Sequence, residues 1–257
     1  MEQRSIVYNF TIVIILFFLS SCGKIAMNSM GLLDKKIPLK YISNGEKKIV
    51  FFAIHHVGQK EFYDDTKRKI DSFMKMGYAV YFENVRPGAI KDSMQKDTIY
   101  RKARKITGVD FLAVSSNAGY IDTVNQTVMG KKTKFIKKYK LINQPIGIIP
   151  FSDTINVRNI DASFVQLVRE CENKFGTIKL EKYDFETNFG EKYKLQEKRN
   201  KDINKYFIYI FRNNLIVNTI LNDKRDKIIL VYGAAHFDGI LENLQIADKR
   251  FKKVEGL

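Results

Sequence analysis

The chain carries three histidines, His55, His56 and His236, and each stands just beyond a run of β-prone residues. The adjacent pair follows Phe51-Phe52, His236 follows residues 228–232, and Glu83 takes the corresponding place after Tyr81-Phe82. In open parallel sheets, groups just past the carboxyl ends of strands line the ligand crevice. A carboxylate and two imidazoles meeting on one rim would ligate a divalent metal ion and leave positions for water. Taken singly, each is better read as a hydrogen-bonded surface or capping group; their shared position makes them a set. Arg212, followed by Asn213 and Asn214, breaks an apolar run between residues 207–211 and 215–217. A guanidinium there needs a partner, either a carboxylate such as Glu83 or a substrate oxyanion, because an unpaired buried charge costs several kcal/mol.

The elements that would position these groups follow from the apolar pattern. Residues 39–42 and 48–52 flank Asn44-Gly45 and predict a β-hairpin. Phe62, Ile70, Phe73 and Met74 share one helical face closed by Gly77, and a strand over 78–82 completes a βαβ unit. A helix near 89–105, a strand over 109–114 and a short strand over 146–149 are expected next. Phe164, Leu167, Val168, Cys171 and Phe175 form a further helical stripe that buries Cys171. A long apolar helix over 203–221, a strand over 228–232, a helix near 240–246 and a terminal basic strand or coil close the chain. The fold class is α/β, a layered αβα domain with a mainly parallel central sheet, an N-terminal β-hairpin and an inserted helical cap over about 115–145.

In this order the residues resemble the TraB/Tiki superfamily, which also includes the pheromone-shutdown and GumN-type proteins. Members show a G-x-x-H motif after the first core strand, a Glu after the next, an Arg-Asn pair on a late helix and a second G-x-x-H after a late strand. Here these match Ala53-Ile54-His55-His56, Glu83, Arg212-Asn213 and Gly233-Ala234-Ala235-His236. Ala53 replaces the first glycine, and His55 beside His56 leaves the first ligand open by one residue, with the alignment favouring His56. Some members are metal-dependent proteases, so the resemblance implies a divalent ion held by His56, Glu83 and His236, with catalytic roles for Glu83, Arg212 and Asn213. Glu83 would serve as ligand or as general base, and Arg212 would hold substrate or developing negative charge. Asp153 and Asp161 are further candidates for the shell. The resemblance implies hydrolysis of peptide bonds in a peptide or protein substrate. The rival is a non-catalytic surface lipoprotein that binds or sequesters a peptide or small ligand.

Arg4, an apolar run over 10–19 and Leu19-Ser20-Ser21-Cys22 resemble a bacterial lipoprotein signal with its lipobox. The expected organisation is a signal over 1–21, a lipidated tether over 22–38 and the α/β domain over 39–257, exported and bound to membrane lipid through Cys22. With Cys22 acylated, Cys171 has no partner and no disulfide framework supports the fold. The 44 basic against 28 acidic residues give a net charge of +16, and residues 1–21 remove one of each sign. Such a charge suits anionic lipid or polysaccharide, or is simply a lysine-rich solvated surface, and no alternation of aromatic and basic residues matches a nucleic-acid module. Residues 131–140 concentrate the lysines, with Phe135, Ile136 and Tyr139 at near-helical spacing, as either a lipid-facing or a solvated segment. Expressed in a lipoprotein-processing host, the chain is expected to gain the mass of a diacylglyceryl group that Cys22→Ser lacks; identical masses and fractionation would remove the anchor.

Overall fold

Strands β1 (Leu39–Ser43) and β2 (Lys48–Ile54) pair antiparallel, from Leu39↔Phe52 to Ser43↔Lys48. Gly45 turns the hairpin at φ +94, a region strained for any residue with a Cβ, and Asn44 Oδ1 accepts the backbone N–H groups of Glu46 and Lys47. The computed structural model describes residues 24–25, 27–90, 92–116, 119–128, 131–194 and 200–256; the expected signal over 1–21 and Cys22 lie outside them. Short β3 (Val57–Gln59) leads into α1 (Lys60–Lys75) and then β4 (Ala79–Phe82). Helices α2 (Ser93–Thr107) and α3 (Phe111–Ser116) follow. The segment expected as a cap holds strands β5 (Ile121–Asp122), β6 (Thr127–Val128) and β7 (Lys131–Lys132), helix α4 (Phe135–Tyr139), and β8 (Leu141–Asn143), which pairs with β3. Beyond β9 (Val157–Asn159) come α5 (Phe164–Phe175) and α6 (Lys182–Glu186). Helix α7 (Lys201–Lys205) runs through a π-helical turn, Tyr206–Ile210, into α8 (Phe211–Asn222). Strand β10 (Lys227–Gly233), α9 (Phe237–Ala247) and β11 (Lys252–Val254) complete the domain.

The six-stranded sheet runs β11-β1-β2-β10-β4-β9, with β2, β10, β4 and β9 mutually parallel and β1 antiparallel to both neighbours. Its central strands are apolar on both faces because helices cover both. Phe51, Ala53, Tyr81, Leu230 and Tyr232 face Ile216, Ile220, Ile240 and Leu244 of α8 and α9. The alternate residues Val50, Phe52, Val80, Ile229 and Val231 face Phe62, Tyr63 and Ile70 of α1. Helices α2 and α5 build a third cluster with Phe207, and Cys171 is buried in it. The layered α/β sheet and the N-terminal hairpin are therefore present.

Three local expectations differ. Residues 109–114 are not a strand: Gly108, left-handed at φ 73, ends α2, and α3 starts three residues later and packs Phe111 on Phe164. The place beside β4 that such a strand would need is taken by β9. Residues 146–149 form a 3-10 turn, Ile146–Ile148, that buries Ile148 against α1 rather than joining the sheet. Strand β9 escapes notice because its three residues carry one buried side chain, Val157. Part of the expected tether is packed: Met27 and Ile37 are buried. Among the described residues no helix is long and apolar enough to cross a membrane.

Leu230, fully buried between the parallel neighbours β2 and β4, sets a stability test. Leu230→Ala is expected to cost about 2–5 kcal/mol in urea unfolding. Ile246→Ala, at a side chain 75% exposed, is expected to stay within about 0.5 kcal/mol. Equal effects would place the core elsewhere.

Candidate functional site

The four parallel strands lie in the order β2, β10, β4, β9, and the carboxyl end of each delivers a polar residue to the same edge. His56 follows β2, Gly233 ends β10 with His236 three residues on, Glu83 follows β4, and Asp161 lies two residues past β9. Backbone pairing sets the edge: Gly233 aligns with Ile54, and the Glu83 N–H donates to Val231 O at 3.0 Å. Asn159 ties the ends of β9 and β4 together, its side-chain amide donating to Asn84 O, while its Oδ1 accepts the Asp161 N–H.

Arg212 descends on this edge from the start of α8. Its Nε and Nη2 donate to the two oxygens of Asp161 at 2.8 and 2.6 Å, and Nη2 also donates to Glu83 Oε1 at 2.7 Å. Nη1 donates to Ile208 O at 3.2 Å within the π-helical turn. A π turn closes its hydrogen bonds one residue further on than an α turn, and such turns are frequent at functional sites. The second Glu83 oxygen, Oε2, accepts the Gly233 N–H at 2.7 Å. Arg212 is 5% exposed and the Asp161 side chain is fully buried. Burial alone would raise the Glu83 pKa, but the Arg212 guanidinium overrides it and holds the carboxyl at about 2. For Asp161 burial wins and the pKa is raised, with the Glu83 charge adding to it. Of the two partners open to Arg212 in the sequence, the structure supplies the carboxylate.

His236, 3% exposed, has its Nδ1–H donated to Asn213 Oδ1 at 2.6 Å. That bond leaves Nε2 as a bare lone pair, and Nε2 stands 4.0 Å from Glu83 Oε1. Burial lowers the His236 pKa to about 4, against the attraction of Glu83, so the imidazole is neutral at pH 7. The other side of Asn213 explains Gly239 in α9: a Cβ there would fall on Asn213 Nδ2 well inside van der Waals contact. Tyr209 and Tyr232 flank the His236 ring at 5.3 and 5.8 Å.

The two adjacent histidines separate. His56 stacks on Tyr120 at 4.8 Å and is felt electrostatically by Glu83 and His236. His55 turns away, onto Phe62 and against Gly31, and burial lowers its pKa. Asp153 is spent on a turn, accepting from Ile155 and Asn156. Among the described residues no group of three or more His, Cys, Asp or Glu is close enough together to hold a metal ion. The donor chemistry fits a cation in part: neutral His236 Nε2 and ionised Glu83 Oε1 face each other with no hydrogen between them. Tyr120 and Tyr232 were not singled out in the sequence. Tyr232 is fully buried with a hydroxyl that has no hydrogen-bond partner among the described residues, and Tyr120 lies in the inserted segment with its pKa raised by burial and by Glu83. Only the place of Tyr232, last before Gly233-Ala234-Ala235-His236, could have signalled it.

The depressed His236 pKa makes a pH prediction. Between the ordinary 6.5 and about 4 the unfolded chain binds a proton that the folded chain does not. Stability is therefore full above 6.5 and falls as pH drops toward 4. In chelator, urea unfolding should lose roughly 1 kcal/mol per pH unit over this window, and His236→Gln should remove that slope. An unchanged slope would mean the imidazole is not held neutral. No family model, no curated protein and no solved structure matches the chain, so its chemistry rests on the residues of this edge.

Proposed function

We propose that the protein is a membrane-anchored hydrolase of the TraB/Tiki type that uses a divalent metal ion and cleaves peptide bonds. The observation that carries the reading is the pairing of a bare imidazole lone pair with an ionised carboxylate 4.0 Å away, His236 Nε2 and Glu83 Oε1, at the carboxyl edge of a parallel sheet. Two carboxylates there face one guanidinium and a neutral imidazole, so the cluster favours an added positive charge. His236 and Glu83 would hold the ion, with His56 as the third donor that the resemblance implies. When bound, such an ion lowers the pKa of water and polarises a carbonyl.

The remaining residues act through these two. Asn213 keeps the proton on Nδ1 and so keeps Nε2 available. Arg212 holds Glu83 ionised and fixed in place, and with its nitrogens engaged by Glu83, Asp161 and Ile208 it is a positioning residue rather than a free oxyanion donor. The Gly233 N–H fixes the second Glu83 oxygen. The Tyr232 ring packs against the His236 ring and keeps that side of the imidazole dry, its hydroxyl being fully buried.

A second reading keeps the edge but not turnover: a surface lipoprotein that sequesters a peptide or small ligand. The lack of a convergent three-ligand group among the described residues favours it. Metal analysis of the purified chain, then peptide and ester hydrolysis after chelation and re-addition of single cations, separates the two. The hydrolase reading expects bound metal and a loss of at least about 100-fold in rate for His236→Ala and for Glu83→Gln. No retained metal and no product across a broad peptide set would leave the binding protein.

A further inference from the structure

We propose that the basic lobe built by β5, β6, β7 and α4 is the face that lies on an anionic phospholipid surface, an inference that rests on the membrane-anchored reading. Between residues 119 and 141 the chain has six lysines and one aspartate. Lys132, Lys134, Lys137, Lys138 and Lys140 are exposed, and among the described residues none of the five pairs with a carboxylate. Some lysines elsewhere pair, as Lys67 does with Asp71 and Lys102 with Glu172. Unpaired lysines at close spacing repel one another, and an anionic surface relieves that repulsion.

Apolar side chains stand exposed among them: Phe135 at 43%, Val128 at 39% and Val124 at 88%. Basic residues surrounding exposed apolar ones are the composition of an interfacial contact. The lobe holds its shape from within. The Thr133 N–H donates to Gln126 O and the Lys137 N–H to Gln126 Oε1, while Ile136 is buried against Ile121 and Leu141.

Chain continuity supports the same orientation. Met27 is buried in this cluster, with Leu32 and Leu33 packed beside it, so residues 27–33 lie against the lobe. Lys24 lies two residues from Cys22, a reach of at most about 7 Å. A lipid on Cys22 would therefore bring this lobe, rather than the opposite side of the sheet, to the membrane.

The chain has no tryptophan, so one introduced indole reports its own surroundings. Full chains carrying Phe135→Trp, or Phe185→Trp at an α6 side chain 51% exposed, are produced in a lipoprotein-processing host and reconstituted into phosphatidylglycerol or phosphatidylcholine vesicles. In phosphatidylglycerol, Phe135→Trp is expected to emit at shorter wavelength and to lose about half its intensity to brominated lipid, with Phe185→Trp unchanged. Adding Lys134→Gln, Lys137→Gln and Lys138→Gln, or using phosphatidylcholine, should cut the quenching severalfold. Equal behaviour of the two indoles, or quenching indifferent to the lysines, overturns the proposal. An acylated chain with an unquenched Phe135→Trp indole removes the lobe and leaves the anchor. Quenching without a lipid adduct removes the anchor and leaves the lobe.

Discussion

Arg212 is a cation taken out of water and set between Glu83 and Asp161, two carboxylates from neighbouring strand ends. Desolvating three charges is expensive, and the arrangement holds only because each is met by several hydrogen bonds. Removing one partner would leave an uncompensated buried charge, a loss of about 3–5 kcal/mol. The contact therefore does more than fix a side chain. It joins α8 to the ends of β4 and β9, and through the Gly233 N–H on Glu83 it reaches β10. The edge of the sheet and the layer of helices above it share one electrostatic centre.

Around that centre the neighbouring groups take fixed states. Glu83 stays ionised because the guanidinium touches it, and His236 stays neutral because it is buried. Asn213, next to Arg212 on α8, is turned to His236 and is accommodated by the missing Cβ of Gly239 on α9. Adjacent residues of one helix thus serve two adjacent strands, Arg212 toward β4 and Asn213 toward the turn after β10.

Much of this was legible in the sequence, because strand ends can be read from short apolar runs and the polar residue after each run is conspicuous. Glu83 and His236 lie together as their positions predict, and the break that Arg212 makes in an apolar run signals its need for a partner, which the structure supplies as two carboxylates. Asp161 was a weaker candidate because β9 is too short to show a pattern, although that strand's end delivers the residue to the edge. The helix over Phe111–Ser116 is composed like a strand, and only the occupancy of the sheet by β9 decides against it. The π-helical turn and the reach of Tyr120 toward Glu83 depend on tertiary contacts that no local pattern records.

Strand β10 lies between β2 and β4 in space but follows them in sequence by 179 and 149 residues, Lys227 aligning with Lys48 and Ile228 with Ala79. A chain emerging from its amino terminus holds the edges of β2 and β4 without their shared neighbour until residue 233 is available. The sheet therefore assembles late, by closure of very long loops, and such non-local pairing slows folding. Until then two apolar strand edges lack the partner that covers them in the finished sheet, and unpaired strand edges are the surfaces through which partly folded chains associate.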